Sequence, residues 1–330
     1  MDFARQRAAA VEARRPMPPR LSTRQRFGLL LVLALALVSY GVLGLWGGLG
    51  AVAATLTAVP VTVYGSMLLL ASAGFALRAW RWHRLLCGLG YRIDWRVNAL
   101  YYLAGFAFTL TPGKVGEALR SEPLRLHGVS RVDSLGTFVT ERLFDLGGVA
   151  LLSLLALGFY PEYWFLAPLL IAVTAVIAWL LRCIYRLRGA TRLVDRPGRL
   201  GDLLKVARRG LSGRWWLPGI GISVVAWGCE GIAFWLFLHS AQMQASLAGV
   251  IGIYALATLA GALSLLPGGV GSTEGVLWLT AVLAGGAQAV VSAGIVAVRL
   301  TTLWYAVAIG VFALVVSGSL TRSMPDSRLP

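Results

Sequence analysis

The chain has 330 residues, 58% hydrophobic and 13% charged, with a mean hydropathy of +0.74. Soluble domains carry about a quarter charged residues, so this composition excludes an ordinary soluble protein and indicates an integral membrane protein. The formal net charge of +16 does not indicate nucleic acid, because the positive residues flank apolar runs, as the positive-inside bias requires.

Arg5, Arg7, Arg14, Arg15, Arg20, Arg24 and Arg26 precede the first apolar run, Phe27–Trp46. That run is longer than the signal-peptide core of about 7–15 residues, so it reads as a retained membrane helix despite the cleavage-like Ala51-Val52-Ala53-Ala54. Gly47 to Thr57 reads as a short uncharged turn. A second span is expected over about Ala58–Trp80, closed by a basic flank of Arg78, Arg81, Arg84, Arg92 and Arg96. Val97–Leu110 is too short for the roughly 20 apolar residues that a bilayer core needs. It ends at Pro112-Gly113 and is followed by Gly116–His127, among Lys114, Arg120, Arg125 and Arg131. A full crossing would place these cations outside, so Val97–His127 is expected to form a re-entrant hairpin from the cytoplasm. Broken backbone at membrane depth is tolerated where protein or a water-filled cavity surrounds it.

Further spans are expected over about Ser134–Leu157, Trp164–Leu181 and Trp215–Leu238, with an outer turn at Pro161-Glu162. Residues 182–214 hold ten Lys or Arg against Asp195 and Asp202. This loop reads as a cytoplasmic membrane-surface segment or a solvated linker. Ser240–Ser246 is uncharged and expected outside. Leu247–Leu266 runs into Pro267-Gly268-Gly269, Gly275–Ala284 follows, and Ala287–Val316 is the last long run.

The expected fold is an all-α membrane protein with about six spans and two re-entrant hairpins in an inverted-topology repeat. Residues 1–26 form a basic cytoplasmic segment, 27–318 a single membrane domain and 319–330 a cytoplasmic tail. Repeat 1 covers about 27–160 and repeat 2 about 164–318, with the basic loop 182–214 inside. If both hairpins cross fully, there are eight spans and the middle of the protein reverses.

The repeat is visible in its motifs. Pro112-Gly113-Lys114-Val115-Gly116-Glu117 recurs as Pro267-Gly268-Gly269-Val270-Gly271-Ser272-Thr273-Glu274. Arg142 follows Glu117 by 25 residues, and Arg299 follows Glu274 by the same 25. Helix breaks in matching places of two hydrophobic halves point to a transporter's site. Proline lacks an N–H and glycine permits φ > 0, so Pro112, Gly113, Gly116, Pro267, Gly268, Gly269 and Gly271 favour broken helices. Half-helices starting near Gly116 and Gly271 would direct N–H groups and a positive dipole end at an anion; plain loops between spans are the alternative.

Glu141, Arg142, Asp145, Glu230 and Arg299 lie inside spans, where each central charge costs about 2.5–3.5 kcal/mol and calls for a partner. Glu141 and Asp145 share a helix face. The spacing pairs Glu117 with Arg142 or Arg299, and Glu274 with the other. Such pairs hold hairpins to helices, contact substrate, or both. Lys114 replaces the Gly269 of the second copy and is the candidate phosphate contact. The binding or gating set is thus Lys114, Glu117, Arg120, Glu141, Arg142, Asp145, Glu274 and Arg299.

The aromatics at span ends, Trp80, Trp82, Tyr91, Trp95, Tyr101 and Tyr102 among them, read as interfacial anchors. Cys87, Cys183 and Cys229 read as buried apolar thiols. No metal-ligand spacing, cofactor motif, Walker A, GxSxG, HExxH or strand-borne GxGxxG is present, so no catalytic residue, metal or cofactor is expected and an enzyme is not.

Arg81-Trp82-His83-Arg84-Leu85-Leu86, Thr111–Arg120, Glu141-Arg142-Leu143, Leu266–Gly275 and Arg299 together resemble the transmembrane, flippase-like family of lysylphosphatidylglycerol synthases. The similarity covers about Phe27 to Gly318. The resemblance implies a bacterial inner-membrane lipid translocator; the charge asymmetry places both termini in the cytoplasm. In full-length synthases a soluble domain makes the aminoacylated lipid that this domain moves; the chain is expected to be a stand-alone member without that domain, and so without the synthase activity. Stand-alone relatives often lack a defined substrate, and some look associated with hopanoid or glycolipid pathways.

The leading expectation is a flippase moving a phospholipid or glycolipid headgroup through a polar cavity between the hairpins. Its partners would be membrane lipids with an anionic phosphate, and a lipid-modifying enzyme. The alternatives are an ion-coupled small-solute transporter and a non-transporting accessory subunit of a lipid-modifying pathway.

Overall fold

A computed structural model describes residues 23–160, 199–212 and 216–322, with isolated positions between 164 and 179. It is all-α, and no strand occurs among the described residues. Helix α1 spans Thr23–Gly47 and α2 Leu49–Ala58. The residues read as a turn at Gly47–Thr57 are therefore mostly helical. Gly48 takes φ 76° and turns the chain by 94° between α1 and α2; Leu49–Ala58 carries no charge or proline to stop a helix.

Pro60 precedes α3 (Val61–Gly88), which runs eight residues past Trp80. Helix α4 (Trp95–Gly105) starts at Asp94, whose carboxylate accepts from the Arg96 and Val97 N–H groups. The chain then tightens into short 3₁₀ turns, Phe106–Phe108 and Pro112–Arg120, before α5 (Ser121–Arg125). The expected α-helical limb from Gly116 is thus a 3₁₀ helix. Pro123 accounts for the restart at Ser121: it donates no N–H and is tolerated only in a first helical turn.

Helix α6 (Arg131–Phe159) is capped by the Ser130 hydroxyl, which accepts from the Asp133 N–H. Near its start Arg131 donates to the exposed Glu122 at 3.0 Å and holds that carboxyl below the usual carboxylate range. Helices α7 (Arg199–Ser212), α8 (Trp216–Ser240), α9 (Leu247–Leu263), α10 (Ser272–Leu283), α11 (Gln288–Arg299) and α12 (Tyr305–Arg322) follow. A single π-helical turn, Leu300–Trp304, joins α11 to α12.

Among the described residues four helices are long and apolar enough to cross a membrane: Val61–Gly88, Arg131–Phe159, Trp216–Ser240 and Gln288–Gly318. The bent α1–α2 pair makes up to five. The expected span Trp164–Leu181, like Cys183, Pro161-Glu162 and most of the loop 182–214, lies outside the described residues, as do 1–22 and 323–330.

The part of that loop that is described, α7, is a helix packed against α6 rather than a free linker. Val206 and Ala207 are buried, and Gly136 of α6 leaves room for Val206. The apolar stripe of an amphipathic helix finds its cover on α6.

Packing is reciprocal between the two halves. Helix α9 lies along α6, and α4 lies along α12. In each case a glycine sets the approach: a Cβ at Gly252 would fall on the Ala156 backbone, and one at Gly310 on the backbone of Phe106–Ala107. Helices α3 and α8 pack on each other between these pairs. One core cluster joins Met67, Phe234, Phe237, Ile253, Leu277 and Val291. Another joins Phe75, Trp82, Tyr102, Phe106 and Leu124.

Candidate functional site

Among the described residues, five guanidiniums meet five carboxylates around the centre of the molecule. Arg78, Arg81, Arg120, Arg142 and Arg299 face Glu117, Glu141, Asp145, Glu230 and Glu274. All are buried except Arg142, whose side chain is 22% exposed. A low-dielectric site demands this matching, because a lone charge there would be far costlier than a pair.

The two motif glutamates pair within their own halves. Arg142 Nη2 lies 3.6 Å from Glu117 Oε2, and Arg299 Nε donates to Glu274 Oε1 at 2.7 Å. Arg142 Nη2 also reaches Asp145 Oδ2 at 3.1 Å and Glu141 Oε2 at 3.6 Å. Thr109 donates to Glu117 Oε1 at 3.0 Å. Arg299 Nη2 donates to the Gly268 carbonyl at 2.9 Å, tying the last span to the second break.

Glu141 is the hub of the first half. It accepts from Arg120 Nη2, from Tyr102 OH at 2.7 Å and from Arg81 Nη2 at 3.3 Å. Arg81 also donates to Asp145 Oδ1 at 2.8 Å and to the Ser223 hydroxyl, which in turn donates to Asp145. Arg120 lies over the rings of Trp82 (3.8 Å), Tyr102 (4.6 Å) and Phe138 (5.5 Å). These aromatic faces offset part of its desolvation. Between the halves, Arg78 Nη2 donates to Glu230 Oε1 at 2.6 Å, and Tyr254 OH donates to Glu230 Oε2 at 2.8 Å.

Several sequence readings need correction here. Arg78 and Arg81 do not belong to a cytoplasmic flank; both are buried partners of acids on α6 and α8. Trp82, Tyr101 and Tyr102 are core residues rather than interfacial anchors, whereas Trp80 and Trp95 are exposed. Cys87 is exposed and Cys229 half-buried, so neither is a fully buried thiol. Arg78, Arg81, Ser223, Tyr102 and Tyr254 were absent from the residue set drawn from the motifs. The available signal was charge balance: Glu141, Asp145 and Glu230 inside spans require cations, and α3 carries the nearest unpaired ones.

The helix breaks form differently in the two copies. At the second, Gly268, Gly269 and Gly271 take φ 61°, 67° and 89°, a region that suits glycine. Glu274 Oε2 then accepts from the Gly271 N–H at 2.8 Å, so the start of α10 is capped by its own carboxylate. At the first, the Gly116 N–H donates to the Thr111 hydroxyl at 2.7 Å. The first N–H of each expected half-helix, that of Gly116 and that of Gly271, therefore already has a partner, and Arg142 and Arg299 are described cationic groups beside the breaks. The side chains of residues 112–115, Lys114 among them, lie outside the described positions. Among the described residues no group of His, Cys, Asp and Glu could hold a metal ion.

A cavity of about 280 Å³ joins the two breaks. Glu117, Arg142 and Asp145 line one side, and Gly268, Gly269 and Arg299 the other. Arg78 and Glu230 also line it, and the exposed Leu265 and Leu266 form its rim. Most of the remaining lining is apolar.

The sequence profile of the lysylphosphatidylglycerol synthase transmembrane region matches residues 29–310. The chain belongs to that family. It is also similar to a UPF0104 membrane protein of Methanothermobacter thermautotrophicus, 27% identical over 276 residues that cover 75% of this chain and 79% of the relative. A further UPF0104 membrane protein of the same organism is 36% identical over 101 residues, 31% of this chain and 30% of the relative. Family membership and the apolar helices make this a multi-pass membrane protein. The family match includes both breaks, both Glu–Arg pairs, and Arg78, Arg81 and Glu230.

Proposed function

We propose that this family member is a lipid flippase, which moves a phospholipid or glycolipid headgroup between leaflets while the acyl chains stay in the bilayer. The observation that carries the reading is the cavity shared by both Pro-Gly breaks, with the partly exposed Arg142 on one side and Arg299 on the other. Its volume suits a headgroup and is too small for a whole lipid; drug-sized pockets span about 300–1,000 Å³. The exposed leucines on its rim favour a substrate that remains partly in hydrocarbon over a fully soluble one.

In this reading α1 to α6, about residues 27–160, form one unit and about residues 164–318 its inverted counterpart, with the termini in the cytoplasm. The α4–α5 and α9–α10 pairs are re-entrant hairpins. Rocking one unit against the other would carry the cavity between leaflets. A headgroup phosphate would compete with Glu117 and Asp145 for Arg142, and Lys114 at the first break would assist from the cytoplasmic side. The protein acts as a transporter and not an enzyme, in a cytoplasmic membrane, alongside enzymes that supply its lipid.

The test is reconstitution in liposomes containing tail-labelled phospholipids, following their movement between leaflets. Transfer by the native chain that falls in Arg142→Gln and Lys114→Ala supports the reading. A panel of anionic, zwitterionic and glycosylated lipids left unmoved by the native chain overturns it.

A further inference from the structure

Helix α9 ends in an unusual way. Ser264 is its C-cap, and the next residue, Leu265, takes φ 55°. That left-handed position after a helix is usually glycine, because a Cβ there crowds the backbone. The chain follows this rule elsewhere: Gly90, Gly128 and Gly285 take φ 98°, 76° and 86° in the turns after α3, α5 and α10. Among the described residues only Gln242 and Leu265 adopt positive φ without being glycine. Leu265 alone of these is apolar, and it stands in a chain with 39 glycines.

Burial does not account for the leucine. Its side chain is 65% exposed, as are Leu263 and Leu266 nearby to 58% and 40%. It also rims the cavity between the two breaks. The local backbone is held in place without it: the Ser264 hydroxyl accepts from the Leu266 N–H at 3.3 Å and contacts the Ser272 hydroxyl at 2.8 Å. Strained backbone kept at a cavity mouth points to a role for the side chain.

Building on the flippase reading, we infer that Leu265 is an apolar lip for the substrate. It contacts the glycerol–acyl junction of a two-chain lipid whose headgroup occupies the cavity, and it disfavours the same headgroup without chains. The cavity therefore selects for a lipid by its mouth as well as by its charged wall. A soluble phosphodiester would meet an exposed leucine where the lipid meets a complementary surface.

The experiment compares the native chain with Leu265→Gly and Leu265→Asn, both of which accept positive φ. The proteins are reconstituted in phosphatidylcholine vesicles containing tail-labelled phosphatidylglycerol and tail-labelled phosphatidylethanolamine. Transfer is followed with and without soluble glycerophosphoglycerol or glycerophosphoethanolamine as competitor. The native chain should resist the competitor. Both variants should melt no lower than the native chain, transfer lipid about tenfold more slowly, and become sensitive to competitor, the order expected for losing one leucine's apolar contact. Native-rate, competitor-resistant transfer by both variants overturns the lip while leaving the flippase reading intact. A lower melting temperature in Leu265→Gly overturns the strain argument on which the lip rests. Failure of the native chain to move either lipid overturns the lip as a contact for two-chain phospholipids, while the flippase reading is decided by the wider lipid panel.

Discussion

Glu141 holds the first half of the charged network together, and replacing it with glutamine should expose how unequal its partners are. After Glu141→Gln, Arg81 keeps Asp145 at 2.8 Å, and Arg142 keeps Asp145 at 3.1 Å and Glu117 at 3.6 Å. Arg120 has no second carboxylate among the described residues, and its Nε and Nη1 already have no hydrogen-bond partner there. The cost is therefore set by one stranded guanidinium, about 3–5 kcal/mol for a fully buried charge. Arg120→Met removes the base instead. Glu141 then still accepts from Tyr102 and lies near Arg81 and Arg142. That loss should be about 1–2 kcal/mol, a hydrogen bond plus part of the contact with Trp82. In the double variant no charge is stranded, so adding Arg120→Met to Glu141→Gln should restore about 2 kcal/mol rather than subtract more. The assay is equilibrium unfolding of the four proteins in one detergent or bicelle composition, read by intrinsic fluorescence and by a steric trap. Equal losses in the two single variants, or a double variant at the sum of the singles, would refute the assignment of Arg120 to Glu141 alone.

The remaining predictions concern packing, the second half, the surface and topology. Gly310→Leu should cost about 3 kcal/mol or more in the same unfolding assay, because its side chain would displace the Phe106–Ala107 backbone. Glu274→Gln should cost about 3–5 kcal/mol, since Arg299 would lose its carboxylate and keep only uncharged partners, the Gly268 carbonyl and the Tyr40 hydroxyl; a loss below that of Arg120→Met would contradict it. Glu122→Gln should change stability by less than about 1 kcal/mol, because its partners Arg125 and Arg131 are exposed and solvent-screened. In a background lacking Cys87, Cys183 and Cys229, a cysteine at Ser240 should react with an impermeant thiol reagent in intact cells and one at Ser212 should not. Labelling at Ser212 would reverse the proposed orientation.

Composition alone determined that the protein lives in a membrane, since a bilayer core rewards long apolar runs and little else. The duplicated Pro-Gly motif also marked the breaks, because proline and glycine act through local backbone chemistry that needs no neighbours. Glu117, Glu274, Arg142 and Arg299 stood out for a similar reason: a charge within an apolar run is costly wherever it folds. Which partner each one takes was open in sequence, since a 25-residue separation permits contact within a half or across halves. Tertiary packing decided it, with each glutamate meeting the arginine of its own half. Packing also drew Arg78 and Arg81 out of what reads as a basic flank, because α3 lies against α8 and near α6, whose acids need cations. The 3₁₀ form of the first break and the left-handed Leu265 were equally hidden. Sequence marks where the first break begins but not that the limb beyond Gly116 winds as 3₁₀ rather than α, and a left-handed position is normally filled by glycine, so only the surrounding structure accounts for either.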